Sequence, residues 1–159
     1  MICLATHRDY PVLVDIWEQS IRTTHHFLPE DYLQRIKSLL PTILPHVKIY
    51  VWRDENTIKG FAGVSVHKME MLFIHPAYFH QKLGSQLTKF CIYSLNVDEV
   101  DVNEQNVTAI HFYKRMGYQL IGRDEVDNQG RPFPILHLKH KRNEHSSRHL
   151  KHIGHIGHT

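Results

Sequence analysis

Three features of this 159-residue chain predict an α+β fold, a mostly antiparallel sheet of about seven strands flanked by four helices. Between Val47 and Ile74, three strand-like runs are joined by short polar turns, the pattern of consecutive hairpins. Two helical patterns precede this block, and two more are interleaved with single strands after it. A last pair of strand-like runs flanks the turn sequence Asp127-Asn128-Gln129-Gly130. The length suits one core, assigned to residues 1–141, and no internal repeat is visible.

In order, Ile2 to Ala5 read as a short first strand. Asp9, or Thr6 before it, caps a helix that Pro11 enters in its first turn, with Leu13, Ile16, Trp17, Ser20 and Ile21 as the inner stripe. The segment Thr23 to Leu28 is too aromatic for a plain linker. Pro29 begins a second helix with Tyr32, Leu33, Ile36, Leu39 and Leu40 on one side, and the stretch from Pro41 to Pro45 ends it. Val47–Trp52, Ile58–Val66 and Met69–Ile74 are consecutive strands, with turns at Asp54-Glu55-Asn56 and His67-Lys68. The loop Ala77 to Lys82 leads into a helix from about Leu83 to Leu95, with Leu83, Leu87, Phe90, Cys91 and Ser94 inward. Val97–Val102, Tyr118–Arg123 and Phe133–Leu138 complete the strands.

The segment from Asn103 to Tyr118 carries the most chemical information. Asn106 is a good N-cap, because its side-chain carbonyl can accept from a free amide of the first helical turn. Ala109, Phe112, Tyr113 and Met116 share one face at helical spacing, and Gly117 supplies a left-handed stop. Taken alone, this is an ordinary amphipathic helix with Tyr113 as core filler.

Composition narrows the function. The net charge is +3, but the excess base lies largely after residue 138, and acids and bases interleave in the body of the domain. Nucleic acid is therefore not expected as a partner. No apolar run approaches the roughly 20 residues needed to cross a bilayer, and Met1 to Arg8 lacks the basic start and apolar core of a secretory signal. No membrane association and a cytoplasmic location are expected. Cys3 and Cys91 form no metal-binding spacing and are expected as free thiols. Residues 142–159 are His-rich, polar and without apolar period, and read as a disordered tail. Ile-Gly interruptions among His152, His155 and His158 argue against a formed metal site, so no metal is expected.

Four groups of residues follow one another in an order that points to a family. They are Ile16-Trp17 with Thr24-His25-His26-Phe27-Leu28; Met69 to Pro76; Val102 to Asn106 with Phe112-Tyr113; and Gly122 to Asp127 with Pro132-Phe133-Pro134. Over roughly residues 2–140 the chain resembles the GNAT superfamily of N-acetyltransferases, and within it the small bacterial enzymes of the YjaB/YiaC type. The resemblance implies a GNAT fold with a twisted central sheet, acetyl-CoA as cosubstrate, and direct transfer of acetyl to a primary amine. That amine belongs to a small molecule or to a peptide or protein lysine or N-terminus. The resemblance also implies a monomer or homodimer.

In this resemblance, Met69–Ile74 is the strand against which the pantetheine arm lies. An exposed strand edge pairs with the arm's amides as another strand would, and the amides of Leu72, Phe73 and Ile74 could polarise the acetyl carbonyl. The family's phosphate loop reads Gln/Arg-x-x-Gly-x-Gly/Ala, and its amides and helix end cradle pyrophosphate. Here the loop is Phe79-His80-Gln81-Lys82-Leu83-Gly84, followed by Ser85, and only the last Gly is kept. Lys82 stands where the pattern has its first Gly. Its side chain either obstructs the close approach that Gly allows or, with His80, adds charge toward phosphate. Tyr113 matches the family's general acid, which protonates the departing thiolate. Asn106 matches the cap residue beside the cofactor arm, and Asn103 could accept or donate at the same crevice.

For the base, Glu70 is the first candidate, a carboxylate in an apolar strand where desolvation raises its pKa. His67 is the second, and His25 or His26 the third. Trp17 and the segment Thr24, His25, His26 and Phe27, with the loop before Phe133, are implied to line the acceptor pocket. This His-aromatic lining suits a small or peptide-borne amine better than a polycation, which would want an acidic cleft. No covalent intermediate is implied, because Cys91 lies within a helix and no Ser-His-acid constellation is evident. The alternative is a non-catalytic acyl-CoA-binding or protein-interaction module on the same scaffold, which the altered phosphate loop favours. A metal-handling protein acting through its histidines is a third reading.

Overall fold

In the computed structural model, which describes residues 1–141, the elements follow the predicted order. They are β1 (Ile2–Leu4), α1 (Tyr10–Thr24), α2 (Glu30–Ile43), β2 (Lys48–Asp54), β3 (Thr57–Val64), β4 (Lys68–Ile74), α3 (Leu83–Lys89), β5 (Glu99–Asn103), α4 (Val107–Met116), β6 (Tyr118–Asp124) and β7 (Ile135–His140). The seven strands form one sheet in the order β1-β2-β3-β4-β5-β7-β6. All neighbouring pairs are antiparallel except β4 and β5, so the predicted fold class is the observed one. The proposed tail at 142–159 lies outside the described residues.

The sheet has a core on each face. On one side Leu13, Ile16, Trp17 and Ile21 of α1 and Leu33 and Leu40 of α2 pack on Ile49, Val51, Ile58 and Phe61. On the other, Leu87, Cys91, Ile92 and Tyr113 pack on Tyr50, Ala62, Val64, Val100, Val102 and Leu138. Alternation along β2 sends Ile49 and Val51 to the first core and Tyr50 to the second. The α1 stripe is buried as expected, from Leu13 to Ile21.

Helix α2 runs through Pro41 and ends at Ile43, inside the Pro41–Pro45 stretch expected to end it, but three other expectations need correction. Pro41 is exposed in the last turn, where its missing amide costs one bond and the chain soon leaves the helix anyway. Leu39, placed on the inner side, is exposed. The single helix expected to Leu95 is α3 followed by a wide π-type turn at Phe90–Ser94. The extra residue per turn shifts the period, so Cys91 and Ile92 point inward and Ser94 is exposed. Last, β7 begins at Ile135, leaving Phe133 in the preceding loop.

Two irregularities shape the sheet's centre. Met69 pairs with Val64 and Met71 with Gly63, so Glu70 is the extra residue of a bulge. In an unbroken strand Met69 and Met71 would share a face; instead they join opposite cores. In addition, β4 and β5 pair only at Lys68–Glu99 and Met69–Val100. Beyond these two pairs the strands part among the described residues.

Gly117 closes α4 with φ +103°, and a β-carbon there would lie 3.0 Å from His140 Nε2, which donates to the Met116 carbonyl at 2.8 Å. Gly117→Ala is expected to lower stability by roughly 1–2 kcal/mol from the left-handed backbone alone. Urea unfolding at constant slope would show this as a lower midpoint; an unchanged midpoint would mean that the turn adapts.

Candidate active site

The parting of β4 from β5 opens a wedge in the middle of the sheet. Leu72, Phe73 and Ile74 are all half-buried on its β4 side, and α4 begins at its mouth where β5 ends. An unpaired strand edge of this kind fits an extended chain bearing amides, which would take the place of the missing strand. Alternate residues of β5 divide between surroundings: Val100 and Val102 enter the core, while Glu99, Asp101 and Asn103 lie on the opposite face.

Asn103 and Asn106 build the turn into α4. Asn103 Oδ1 accepts from Gln105 N at 2.9 Å, and its backbone carbonyl accepts from Asn106 N at 2.9 Å. Asn106 Oδ1 accepts from Ala109 N at 3.1 Å, the predicted cap. Its Nδ2 lies 3.0 Å from His25 Nε2, which brings the end of α1 against the start of α4. His25 Nδ1 is 2.7 Å from Thr24 Oγ1. Burial, with the nearby His26, pushes the His25 pKa down to about 4, which argues against His25 as a base.

The row continues away from the wedge. His25 packs at 5.5 Å between ring centroids on Phe27, Phe27 at 6.5 Å on Phe133, and Phe133 at 5.3 Å on Tyr32. The α1–α2 segment and the β6–β7 loop thus form one aromatic wall. Trp17 does not join it; its side chain is buried in the core beneath α1. His26 is exposed, and Thr24 and Phe27 are half-buried. A fixture that sequence reasoning missed secures the wall. Buried Asp127 accepts from Tyr32 Oη at 2.9 Å, from Gln129 N at 2.9 Å and from Arg131 N at 2.8 Å. Burial and this bond push the Tyr32 pKa up to about 12. The turn at Asp127–Gly130 was legible, but its link to α2 spans 95 residues and left no local signal.

At the other end of the wedge, His80 and Lys82 both adopt left-handed backbone, with φ of 71° and 62°. Lys82 therefore holds a conformation that glycine takes without cost. The first helical bond of α3 runs from Gln86 N to Lys82 O, so the amides of Leu83, Gly84 and Ser85 lie at the helix's open end. A β-carbon on Gly84 would meet Phe112 at 3.8 Å and Ile74 at 3.9 Å, so α3, α4 and β4 converge there. Ser85 Oγ donates to Met116 Sδ at 3.5 Å. Phe79 is half-buried, His80, Gln81 and Lys82 are exposed, and the Leu83 side chain is buried.

Glu70 and Tyr113 sit in contrasting surroundings. Glu70 is exposed as a residue, yet its carboxyl is shielded enough to raise its pKa; Lys68 opposes the shift and Asp101 adds to it. Tyr113 is buried, edge-on to Phe112 at 5.0 Å and to Tyr118 at 5.2 Å, and burial raises its pKa. His67, the second base candidate, is half-buried at the start of β4. Burial also pushes the Cys91 thiol up to about 12, which suits an inert packing residue rather than a nucleophile. Among the described residues no group of three or more His, Cys, Asp or Glu could hold a metal ion.

The fold and this wedge define a class. Residues 45–120 match the acetyltransferase (GNAT) domain, and the chain belongs to the GNAT family of acetyltransferases and is an acyltransferase. It is 35% identical over 133 residues to the peptidyl-lysine N-acetyltransferase YjaB of Salmonella typhimurium, covering 83% of this chain and 92% of that protein. The solution structure of apo YjaB from Escherichia coli superposes with a TM-score of 0.82 at 33% identity, over 88% of this chain and 96% of that one. The PaiA N-acetyltransferase of Thermoplasma acidophilum in complex with coenzyme A shares the fold at a TM-score of 0.66 and 18% identity, over 88% and 98%. These likenesses favour the acetyltransferase over a non-catalytic module. No helix among the described residues is long and apolar enough to cross a membrane.

On the face carrying Asp101, His137 bridges two strands. Its Nδ1 donates to Asp101 at 2.6 Å and its Nε2 to Asp124 at 2.9 Å, and both bonds raise its pKa above 6.5. A raised pKa means stability that is full below the unfolded value and lost as pH rises through the folded one. The stability advantage of the native protein over His137→Gln should therefore shrink between pH 6 and pH 9. Paired urea titrations across that range check it; a growing advantage would contradict the imidazolium bridge.

Proposed function

We propose that this acetyltransferase takes acetyl-CoA as donor and the side-chain amine of a peptide or protein lysine as acceptor. The observation that carries the reading is the parting of β4 from β5 beside α4, with a free strand edge at Leu72, Phe73 and Ile74. The lysine is supported by the relatives, whose activity is peptidyl-lysine N-acetylation. Acetyl-CoA supplies an activated thioester carbonyl. Around it, the chain's own groups divide the work. The β4 edge holds the amide-bearing arm, and its amides polarise the carbonyl. Phe79 to Ser85 take the phosphates, through the open amides of α3 and the Lys82 ammonium. Asn103 and Asn106 flank the arm at the start of α4. Thr24 to Phe27, with Phe133, form the acceptor wall.

Glu70 takes the proton of the incoming amine, directly or through water, and Tyr113 donates its hydroxyl proton at the departing sulfur. Burial keeps the phenol protonated at any working pH. The same reading keeps the cytoplasm as location, a monomer or homodimer as state, and neither nucleic acid, membrane nor metal as partner.

Lys82→Gly tests the phosphate loop. It removes a left-handed non-glycine residue, so folding should not suffer. Calorimetry with acetyl-CoA should show either tighter binding or a modest loss. A loss above about 100-fold, roughly 2.7 kcal/mol, would make Lys82 a principal ligand instead.

The function itself is tested by release of CoA thiol in the presence of lysine-containing peptides, for wild type and Tyr113→Phe side by side. Wild type should turn over. The variant keeps the ring and its packing, so acetyl-CoA affinity should hold while turnover falls about 10- to 1000-fold. Because burial raises the phenol's pKa, no high-pH limb in the ordinary assay range should belong to it. Equal turnover would leave Tyr113 a packing residue.

A further inference from the structure

His25 makes a contact that the proposed reaction does not require and the aromatic wall does not explain. Its ring nitrogens are both engaged, and the partners at the two ends prescribe the same tautomer. At one end, Asn106 Oδ1 accepts from Ala109 N at 3.1 Å, which orients the side-chain amide and turns Nδ2 toward His25 Nε2 at 3.0 Å. An NH2 group only donates, so Nε2 must be the bare, accepting nitrogen. At the other end, Thr24 Oγ1 donates its one proton to Ser20 O at 2.8 Å, so it can only accept from His25 Nδ1–H at 2.7 Å. The chain Asn106 to His25 to Thr24 to Ser20 is therefore polarised in one direction, with a neutral imidazole in the middle. Burial disfavours the charged ring and keeps it that way.

The residue is held through its backbone and one ring face too. His25 N donates to Ile21 O at 2.8 Å, its carbonyl accepts from Leu28 N at 3.2 Å, and Phe27 packs on its ring. Asn106 belongs to the turn at the mouth of the wedge; the bond from Ala109 N sets which end of its amide is oxygen, and the bond to His25 fixes the amide's rotation about that contact. With one lone pair given to Ala109 N and one proton to His25, it retains one N–H and one lone pair. A free N–H and a free lone pair match the two hydrogen-bonding groups of an amide.

We propose that His25 is a positioning residue for cofactor binding: it fixes the Asn106 side chain so that its remaining N–H and lone pair face the amide-bearing arm in the β4–β5 wedge. The acceptor wall and the cofactor side are thereby tied through one neutral imidazole. This role rests on the proposed use of acetyl-CoA, and the experiment separates the two.

Two variants divide the ring's functions. In His25→Gln the side-chain oxygen reaches the place of Nε2 and can accept from Asn106; in His25→Asn the amide nitrogen stands near Nδ1 and serves Thr24, but nothing reaches Asn106. Acetyl-CoA binding by calorimetry should give Gln within about threefold of wild type and Asn weaker by about tenfold or more. Equal affinities for the two variants would overturn the role, since mere packing would not favour Gln. The ring's 15N NMR signals in the wild-type protein provide a reading that needs no variant to fold. A protonated Nδ1 and a bare Nε2 between pH 6 and pH 8 are expected, and an Nε2–H or an imidazolium would overturn the link. If wild type binds no acetyl-CoA, the parent reading fails and the positioning role with it, whatever the tautomer.

Discussion

Strand β4 has two neighbours and treats them differently. It pairs with β3 along its whole length, apart from the bulge at Glu70, and with β5 at two positions only. β5 in turn pairs at five positions with β7, so β5, β7 and β6 form a wing of their own. A bulge bends its strand and sharpens the local twist, and Glu70 sits immediately after the last residue shared with β5. The bend thus falls where the two wings diverge. An unpaired strand edge left open inside a sheet is a cost to folding, and it persists here because side chains, not backbone, close the base of the wedge. Leu72, Ile74, Ala109 and Phe112 pack against the core beneath it. The remaining functional geometry follows from that opening, since α4, the α3 end and the α1–α2 segment all meet around it.

What could be read in the sequence was the local chemistry. Asn106 and Gly117 mark the ends of α4 because a cap and a left-handed stop act within four residues of their targets. The α1 stripe and the hairpin block were legible for the same reason, since periodicity is a property of neighbours. Glu70 as a bulge was not legible, because a run of Met, Leu, Phe and Ile is apolar on both faces and conceals a shift of one residue. Ser94 was misplaced because a π turn changes the period without changing composition. Phe133 looked like the first residue of a strand, but its ring is held by Phe27 and Tyr32, far off in the chain. The bonds that organise the site join residues 81 and 95 positions apart. No pattern in one sequence announces such pairs.

The open face of the β5-β7-β6 wing adds a field to this geometry. Asp101 accepts from both Lys68 and His137, and His137 also reaches Asp124. The row is exposed and each pair alone would be weak, but the groups share partners and so act on one another. Lys68 is held by Asp101 at 2.8 Å, and its charge also reaches Glu70, where it opposes the rise in pKa. Asp101 in turn disfavours the ionised form of Glu70.

In the proposed reaction this arrangement separates an acid from a base by environment rather than by residue type. Glu70 lies at a partly shielded bulge where burial raises its pKa, with Lys68 opposing the shift and Asp101 adding to it. Tyr113 lies in a dry core against two aromatic rings and a thiol, where a phenolate is disfavoured and the proton is retained until a stronger demand arises. A departing thiolate in the same low-dielectric surroundings makes that demand, because it too is poorly solvated there. The proton therefore moves between two groups that are both disfavoured as anions, and burial penalises product and reactant alike. On this account the depth of Tyr113 need not weaken it as an acid, since the transfer depends on the difference between the two sites and not on the phenol's distance from its value in water.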